Sequence, residues 1–331
     1  MNLFIVILLS LGMTACGAAT SSTSSGNSVQ PSSPQTNASA SKSVCNGVND
    51  FTNIPSAFLA ALKKYTTTNA EHVVNVCTED SNSDGAADYI VVESTDQPNH
   101  ESVYYDDSDS HHEDYDFNTN EYRYSDLYTD QTPGSAGNNM IEAQSIVMRM
   151  PINPASATTK TATTYNTIGL GLNGVSFFNE NAGPGDDITD ELFTFDQCSG
   201  HPQQDGVYHY HVGPICLIRD LGGAVVIESK TVKGKTYTWI DDAGTNAGLL
   251  LGFLMDGFPV YGPIGTSETD CNGSAVSTPI DDYNGHTHCT ADFGDAIYHY
   301  HVKTANKGGT SSPIFWITNE YYYGTPGSVS N

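Results

Sequence analysis

The sequence predicts a mainly β protein: a sandwich or barrel-like single domain with an internal pseudo-repeat and one short N-terminal helix. Three observations carry that expectation. Short runs rich in Val, Ile, Tyr and Phe alternate with turn clusters, and many of the 31 glycines sit in turns such as Gly169 to Gly174 and Gly183-Pro184-Gly185. Only Asn53 to Tyr65 has helical character, with Pro55 near its start, an apolar face through Phe58, Leu59 and Leu62, and lysines at its end. One four-residue run occurs twice, as Tyr208-His209-Tyr210-His211 and Tyr298-His299-Tyr300-His301, each followed by a valine.

Taken in order, residues 1–16 read as an export signal. The apolar run Asn2 to Leu11 is too short to span a bilayer and ends at Met13-Thr14-Ala15-Cys16. Small residues before a Cys resemble the lipobox of bacterial lipoproteins, which implies lipidation of Cys16. Gly17 behind it fits retention at the outer membrane, so a periplasmic or cell-surface lipoprotein is expected. Residues 17–44, rich in Ser, Thr, Asn and Pro, cannot bury enough apolar surface to fold and form a disordered tether. The β domain is then residues 45–331.

Net charge is -26, with only 12 Lys plus Arg, so the surface repels nucleic acid and anionic lipid and recruits cations. Membrane attachment is expected through the lipid alone, and no protein partner is legible. Without Cys16, six cysteines remain, an even number that suits disulfides in an oxidising compartment. The sequential pairing Cys45-Cys77, Cys198-Cys216 and Cys271-Cys289 is the simplest, and its last two pairs have equal spacing.

Strands are expected at Val73-Val76, Tyr89-Ser94, Ser145-Met150, Ala224-Ser229, Lys235-Ile240 and Phe315-Tyr323. Before the second lies Asp80-Ser81-Asn82-Ser83-Asp84-Gly85-Ala86-Ala87-Asp88. Oxygens from Asp80, Asn82, Asp84 and Asp88 around a glycine turn are what Ca2+ requires, although Val91 replaces the bidentate Glu of an EF-hand and the flanks are strands. The acidic run from Asp106 to Asp116, with His111 and His112, reads as a solvated loop rather than a second metal patch.

On a strand, residues two apart share a face, so each Tyr-His-Tyr-His run puts two imidazoles on one side and two phenols on the other. His201 in Ser199-Gly200-His201 precedes the first run, and His286 in Asn284-Gly285-His286, with His288 beyond it, precedes the second. Each half thus offers His201, His209 and His211, or His286, His299 and His301, as three imidazoles that leave one metal position open. Two mononuclear sites, one binuclear site and a site shared across a pseudo-dyad remain alternatives. Asp256, in Leu254-Met255-Asp256-Gly257, either accepts a hydrogen bond from a ligand imidazole or shapes its turn. Tyr208, Tyr210, Tyr298 and Tyr300 are expected to support the ligands.

The doubled Tyr-His-Tyr-His, the two Gly-His loops and Asp256-Gly257-Phe258-Pro259-Val260-Tyr261-Gly262-Pro263 together resemble the YHYH domain family of exported bacterial proteins, over roughly Val73 to Tyr323. The resemblance implies an exported domain without an established activity. It also marks His100, in Gln97-Pro98-Asn99-His100, as a possible further ligand. The second half departs from the expected pattern, since Cys271-Asn272-Gly273 has no following His. Imidazoles without thiolates in an oxidising compartment point to copper first and zinc next. The expected function is therefore a metal-binding envelope lipoprotein. The alternatives are a copper, iron or zinc enzyme, or a calcium-stabilised structural or adhesive module. No His-Glu-x-x-His or Gly-x-Ser-x-Gly motif favours the enzyme.

Overall fold

The computed structural model describes residues 44–112, 139–183, 188–191, 194–232, 235–263, 268–305, 314–316 and 320–331. The export signal, Cys16, most of the tether and residues 113–116 of the acidic run lie outside them. The expected helix forms two pieces, α1 (Ser56–Lys63) and α2 (Tyr65–Thr68). Phe58, Ala61 and Leu62 are buried, and the buried Tyr65 donates its hydroxyl to the Leu170 carbonyl at 2.7 Å. That bond clamps the helix to the strand on which the sheet's two halves meet.

The strands and remaining helices follow in chain order. They are β1 (Val74–Glu79), β2 (Tyr89–Ser94), β3 (Ile146–Pro151), β4 (Gly169–Gly171), β5 (Ser176–Phe177), α3 (Ile188–Glu191), β6 (Gly200–Pro202), β7 (Tyr208–Tyr210) and α4 (Ile215–Asp220). After them come β8 (Val225–Val232), β9 (Lys235–Asp242), β10 (Leu250–Leu254), β11 (Pro259–Tyr261), β12 (Gly285–His288), β13 (Ile297–His301), β14 (Lys303–Ala305), β15 (Ile314–Trp316) and β16 (Ser328–Ser330). Five of the six expected strands are present within a few residues. Of the expected strand Phe315-Tyr323, β15 covers the start, Tyr321 makes an isolated bridge as does the adjoining Gly324, and residues 317–319 lie outside the described residues.

Two principal sheets form. One is antiparallel, in the order β1-β2-β3-β16; the other has eight strands, in the order β12-β13-β11-β10-β4-β5-β7-β6. The two ribbons β8-β9 and β14-β15 complete the list. Neither principal sheet closes on itself, so the barrel alternative gives way to a sandwich-like arrangement. One apolar core joins Val76, Val92 and Met148 of the small sheet to Leu170, Phe177, Phe253 and Val260 of the large one.

The large sheet contains the pseudo-repeat. Hairpin β4-β5 turns at Asn173-Gly174, and hairpin β10-β11 turns at Asp256-Gly257. In each half the second hairpin strand pairs in parallel with a Tyr-His-Tyr-His strand, β5 with β7 and β11 with β13. That strand then pairs antiparallel with the Gly-His strand, β7 with β6 and β13 with β12. The halves meet where Leu170 on β4 faces Phe253 on β10. A local two-fold axis through that pair relates them.

Three disulfides brace the loops: Cys45–Cys77, Cys198–Cys216 and Cys271–Cys289. The second and third each span 18 residues and flank the Gly-His strands. Among the described residues no helix is long and apolar enough to cross a membrane.

Candidate metal centres

Alternation along β7 and β13 separates phenols from imidazoles. Tyr208, Tyr210, Tyr298 and Tyr300 turn into the main core. The Tyr208 hydroxyl donates to Asp196 at 2.8 Å, that of Tyr298 to Asp281 at 3.0 Å and that of Tyr300 to Asp256 at 2.6 Å. Their expected support of the ligands is therefore indirect: they anchor the strand from the face opposite the imidazoles. Asp256 likewise receives Tyr300 and the Gly324 amide, and no imidazole, so it serves its turn and not a ligand.

Each Gly-His loop has the same construction. Asp196 Oδ1 accepts from the Cys198 and Gly200 amides, as Asp281 Oδ1 does from Tyr283 and Gly285. Ser199 and Asn284 take left-handed backbone angles, φ 73° and 64°. The following glycine is required because a Cβ there would lie 2.4 Å from the Tyr208 hydroxyl or from Tyr298. The histidine then faces its partner across the ladder, His201 opposite His209 and His286 opposite His299.

In the first centre His201, His209 and His211 converge, all buried. His209 Nδ1 donates to the Val207 carbonyl at 3.0 Å, and His211 Nδ1 to the Asn179 carbonyl at 2.6 Å. Thr194 donates its hydroxyl to the Glu191 carbonyl and so accepts from His201 Nδ1 at 2.5 Å. Because carbonyls only accept, these bonds fix the tautomers and leave every Nε2 as a bare lone pair facing the centre. Nε2 of His209 and of His211 stand 3.0 Å apart, and that of His201 is buried without a hydrogen bond. Burial holds all three well toward the neutral form, His211 down to about 4 against the pull of its carbonyl bond. For His209 the neighbouring imidazoles add to the effect of burial.

The second centre is richer. Nδ1 of His286, His288, His299 and His301 donates to the carbonyls of Thr278, Cys289, Ile297 and Gly262. Nε2 of His286 lies 3.1 Å from those of His288 and His301. Glu268 stands among them, its Oε1 2.7 Å from His288, 3.3 Å from His286 and His301 and 3.5 Å from His299. Although burial opposes ionisation, the imidazoles of His286, His299 and His301 gathered around its oxygens hold Glu268 well below the usual carboxylate range. Burial brings His299 to about 4, and its Nε2 makes no hydrogen bond. Two nitrogens bound to one ion at about 2.1 Å lie about 3.0 to 3.4 Å apart, so the observed spacings match a shared cation in both centres.

β7 and β13 are five strand positions apart in the sheet, about 24 Å at the usual strand spacing, which makes the centres separate. His286 and His288 both belong to the second. Glu268 was not legible from sequence; no motif marks it, and only the connection from β11 to β12 brings it in. His100 joins neither centre. Its Nδ1 donates to the Glu101 carbonyl and its Nε2 lies 3.3 Å from the Tyr210 hydroxyl, on the phenol face. The nearby Cys198 and Cys216 sulfurs are bonded to each other and offer no thiolate.

Elsewhere, Asp80, Asn82, Asp84 and Asp88 share one exposed loop in which their oxygens accept from its own amides, Asp80 from Gly85 and Asp88 from Ser81 among them. His111 is away from both centres, between Glu71 and Asp109.

Fold and centres define a mainly β protein with a duplicated cluster of buried histidines. Within it, residues 147–279 match the sequence model of the family described as YHYH protein, so the chain carries a YHYH domain. The match includes the first Tyr-His-Tyr-His run and the Asp256 to Pro263 stretch, and stops before the second run. It is narrower than the Val73 to Tyr323 expected from sequence. Comparison with curated proteins and with solved structures returns no match.

Proposed function

We propose that this chain is a cell-envelope lipoprotein that binds a transition metal at two centres, copper by preference and zinc next. The observation that carries the reading is the set of seven imidazoles whose Nδ1 protons are committed to fixed acceptors while their Nε2 lone pairs converge at contact distance. Such lone pairs repel one another unless a cation or proton lies between them; burial disfavours the proton at His201, His209, His211 and His299, whereas at His286 Glu268 outweighs burial and favours it. Neutral imidazoles with one carboxylate and no thiolate suit Cu2+ above other divalent ions of the first row. The acidic surface supports capture of cations, and Ca2+ in the 80–88 loop belongs to the same proposal.

An enzyme is the second reading. Three imidazoles with an open position are the donor set of hydrolytic zinc sites and of some redox centres, and the first centre has that set. Metal analysis of the mature chain, exported to the periplasm and purified without nickel, tests the proposal. We expect one to two equivalents of copper or zinc, lost stepwise in His209→Ala, His211→Ala and His299→Ala, His301→Ala variants. A folded chain with calcium alone would leave only the calcium-stabilised module. Turnover by the loaded chain in oxidase or hydrolase assays, lost with the first centre alone, would favour the enzyme.

A further inference from the structure

The two-fold relation between the halves sets a question at the first centre. Glu268 lies on the connection between β11 and the Asp281 loop, and it meets His286 at 3.2 Å through Oε2. The same connection in the first half runs from β5 to the Asp196 loop and carries Glu191 at the end of α3. Its Oε2 lies 3.9 Å from His201 Nε2, the counterpart of the His286 atom. Further along each connection Thr194, through its hydroxyl, holds Nδ1 of His201, and Thr278, through its carbonyl, holds Nδ1 of His286. His201 Nε2 is buried and without a hydrogen bond, aimed at the point where a ligand would sit.

We propose that Glu191 is the fourth ligand of the first centre, so that the chain carries two related divalent-cation sites, one of three imidazoles and a carboxylate and one of four imidazoles and a carboxylate. A gap of 3.9 Å is within the roughly 4.2 Å spanned by two bonds of about 2.1 Å to a common ion, so a small rotation of the side chain completes the set. Glu191 is one-third exposed where Glu268 is 7% exposed, which makes the first carboxylate the movable one. The first centre also lacks a counterpart of His288, whose place in the register falls to Gln203. With fewer donors and a carboxylate at the mouth, the first centre exchanges its ion and the second retains it.

This inference rests on the metal-binding reading, and the test separates the two. Zn2+ is titrated into the intact mature chain against a chelator, and Cu2+ loading is followed by electron paramagnetic resonance. In the parent chain two equivalents bind, the weaker one leaving first. Glu191→Gln is expected to weaken one equivalent by about tenfold or more, since even the outer partners of metal ligands are worth that much, and to change one of two copper signals. Glu268→Gln weakens the other equivalent, and Glu191→Asp restores part of the loss. If Glu191→Gln leaves both affinities and both spectra as in the parent while Glu268→Gln shifts one, Glu191 is not a ligand and the metal reading stands. If the parent chain binds neither cation, both fall.

Discussion

Asn173 and Asp256 occupy the same turn position in the two halves of the large sheet, each reaching toward the second tyrosine of its Tyr-His-Tyr-His run. Asn173 donates to the Tyr210 hydroxyl at 3.3 Å, whereas Asp256 accepts from Tyr300 at 2.6 Å. One turn therefore solves the same packing problem with a neutral amide and the other with a buried acid. Burial pushes the Asp256 carboxyl up to about 6, against the hydrogen bonds of Tyr300 and the Gly324 amide.

That shift makes stability depend on pH. With a folded pKa of about 6 against an unfolded value near 3.8, the contribution is fully present below pH 4 and is lost as pH rises through 6. Asp256→Asn carries the first half's solution into the second and removes the titration. Measured by urea unfolding, the stability of the parent relative to Asp256→Asn should fall by about 1 to 3 kcal/mol between pH 4 and 7. Parallel pH profiles for the two chains would show that the acid stays ionised in the fold.

Gly285→Ala should damage both fold and site. The new methyl would meet the Tyr298 ring at 2.4 Å and the His299 carbonyl at 2.5 Å, and Tyr298 cannot retreat because it stacks on Tyr323 at 3.5 Å. Overpacking of this kind costs about 1 to 3 kcal/mol. Denaturant unfolding should register that loss, and metal titration should show one equivalent weakened while the other keeps its affinity.

The trios of imidazoles were legible because a strand repeats every two residues, so His-x-His has to share a face, and a glycine-turn histidine a few residues earlier has to return beside it. The same periodicity explains what failed. Asp256 sits beside an apolar run at a turn, and only the sheet's register decides that it reaches the phenols and not the imidazoles. His100 looked like a ligand by its motif, yet its chain segment approaches the sheet from the core side. Glu268 is 18 residues before His286, on a connection with no periodic signal, and nothing local marks it. The equal spacing of the second and third cysteine pairs was the visible trace of the two-fold relation, whose axis lies between residues of unlike type, Leu170 and Phe253.

Thr194 supplies the one side-chain acceptor among the seven Nδ1 bonds, since the other six go to backbone carbonyls. Thr194→Val leaves the shape of the residue and removes that acceptor, freeing the His201 ring to flip or change tautomer. The first centre should lose about 10- to 100-fold in Zn2+ affinity, with the second unchanged. Thr194→Ser should recover most of the loss. Equal affinities in all three chains would mean that the ring is held by packing against Phe195 alone.

The two disulfides beside the centres enclose loops of equal length, so chain entropy assigns them similar stabilisation, about 3 kcal/mol each. Their accessibility differs. Cys198 and Cys216 are 1% exposed, while Cys271 lies at the surface. Thiol exchange needs in-line access to a sulfur, so graded reduction should open Cys271–Cys289 first. The Cys289 carbonyl accepts from His288 Nδ1 and from the Cys271 amide, so opening this bond loosens the backbone that orients His288. Alkylation and mass spectrometry at increasing reductant, run beside metal release, should show two modified cysteines accompanied by loss of one metal equivalent before Cys198 and Cys216 react. Simultaneous reduction of both bonds, or modification at Cys271 with both equivalents retained, would mean that the second centre holds its own loop without the disulfide.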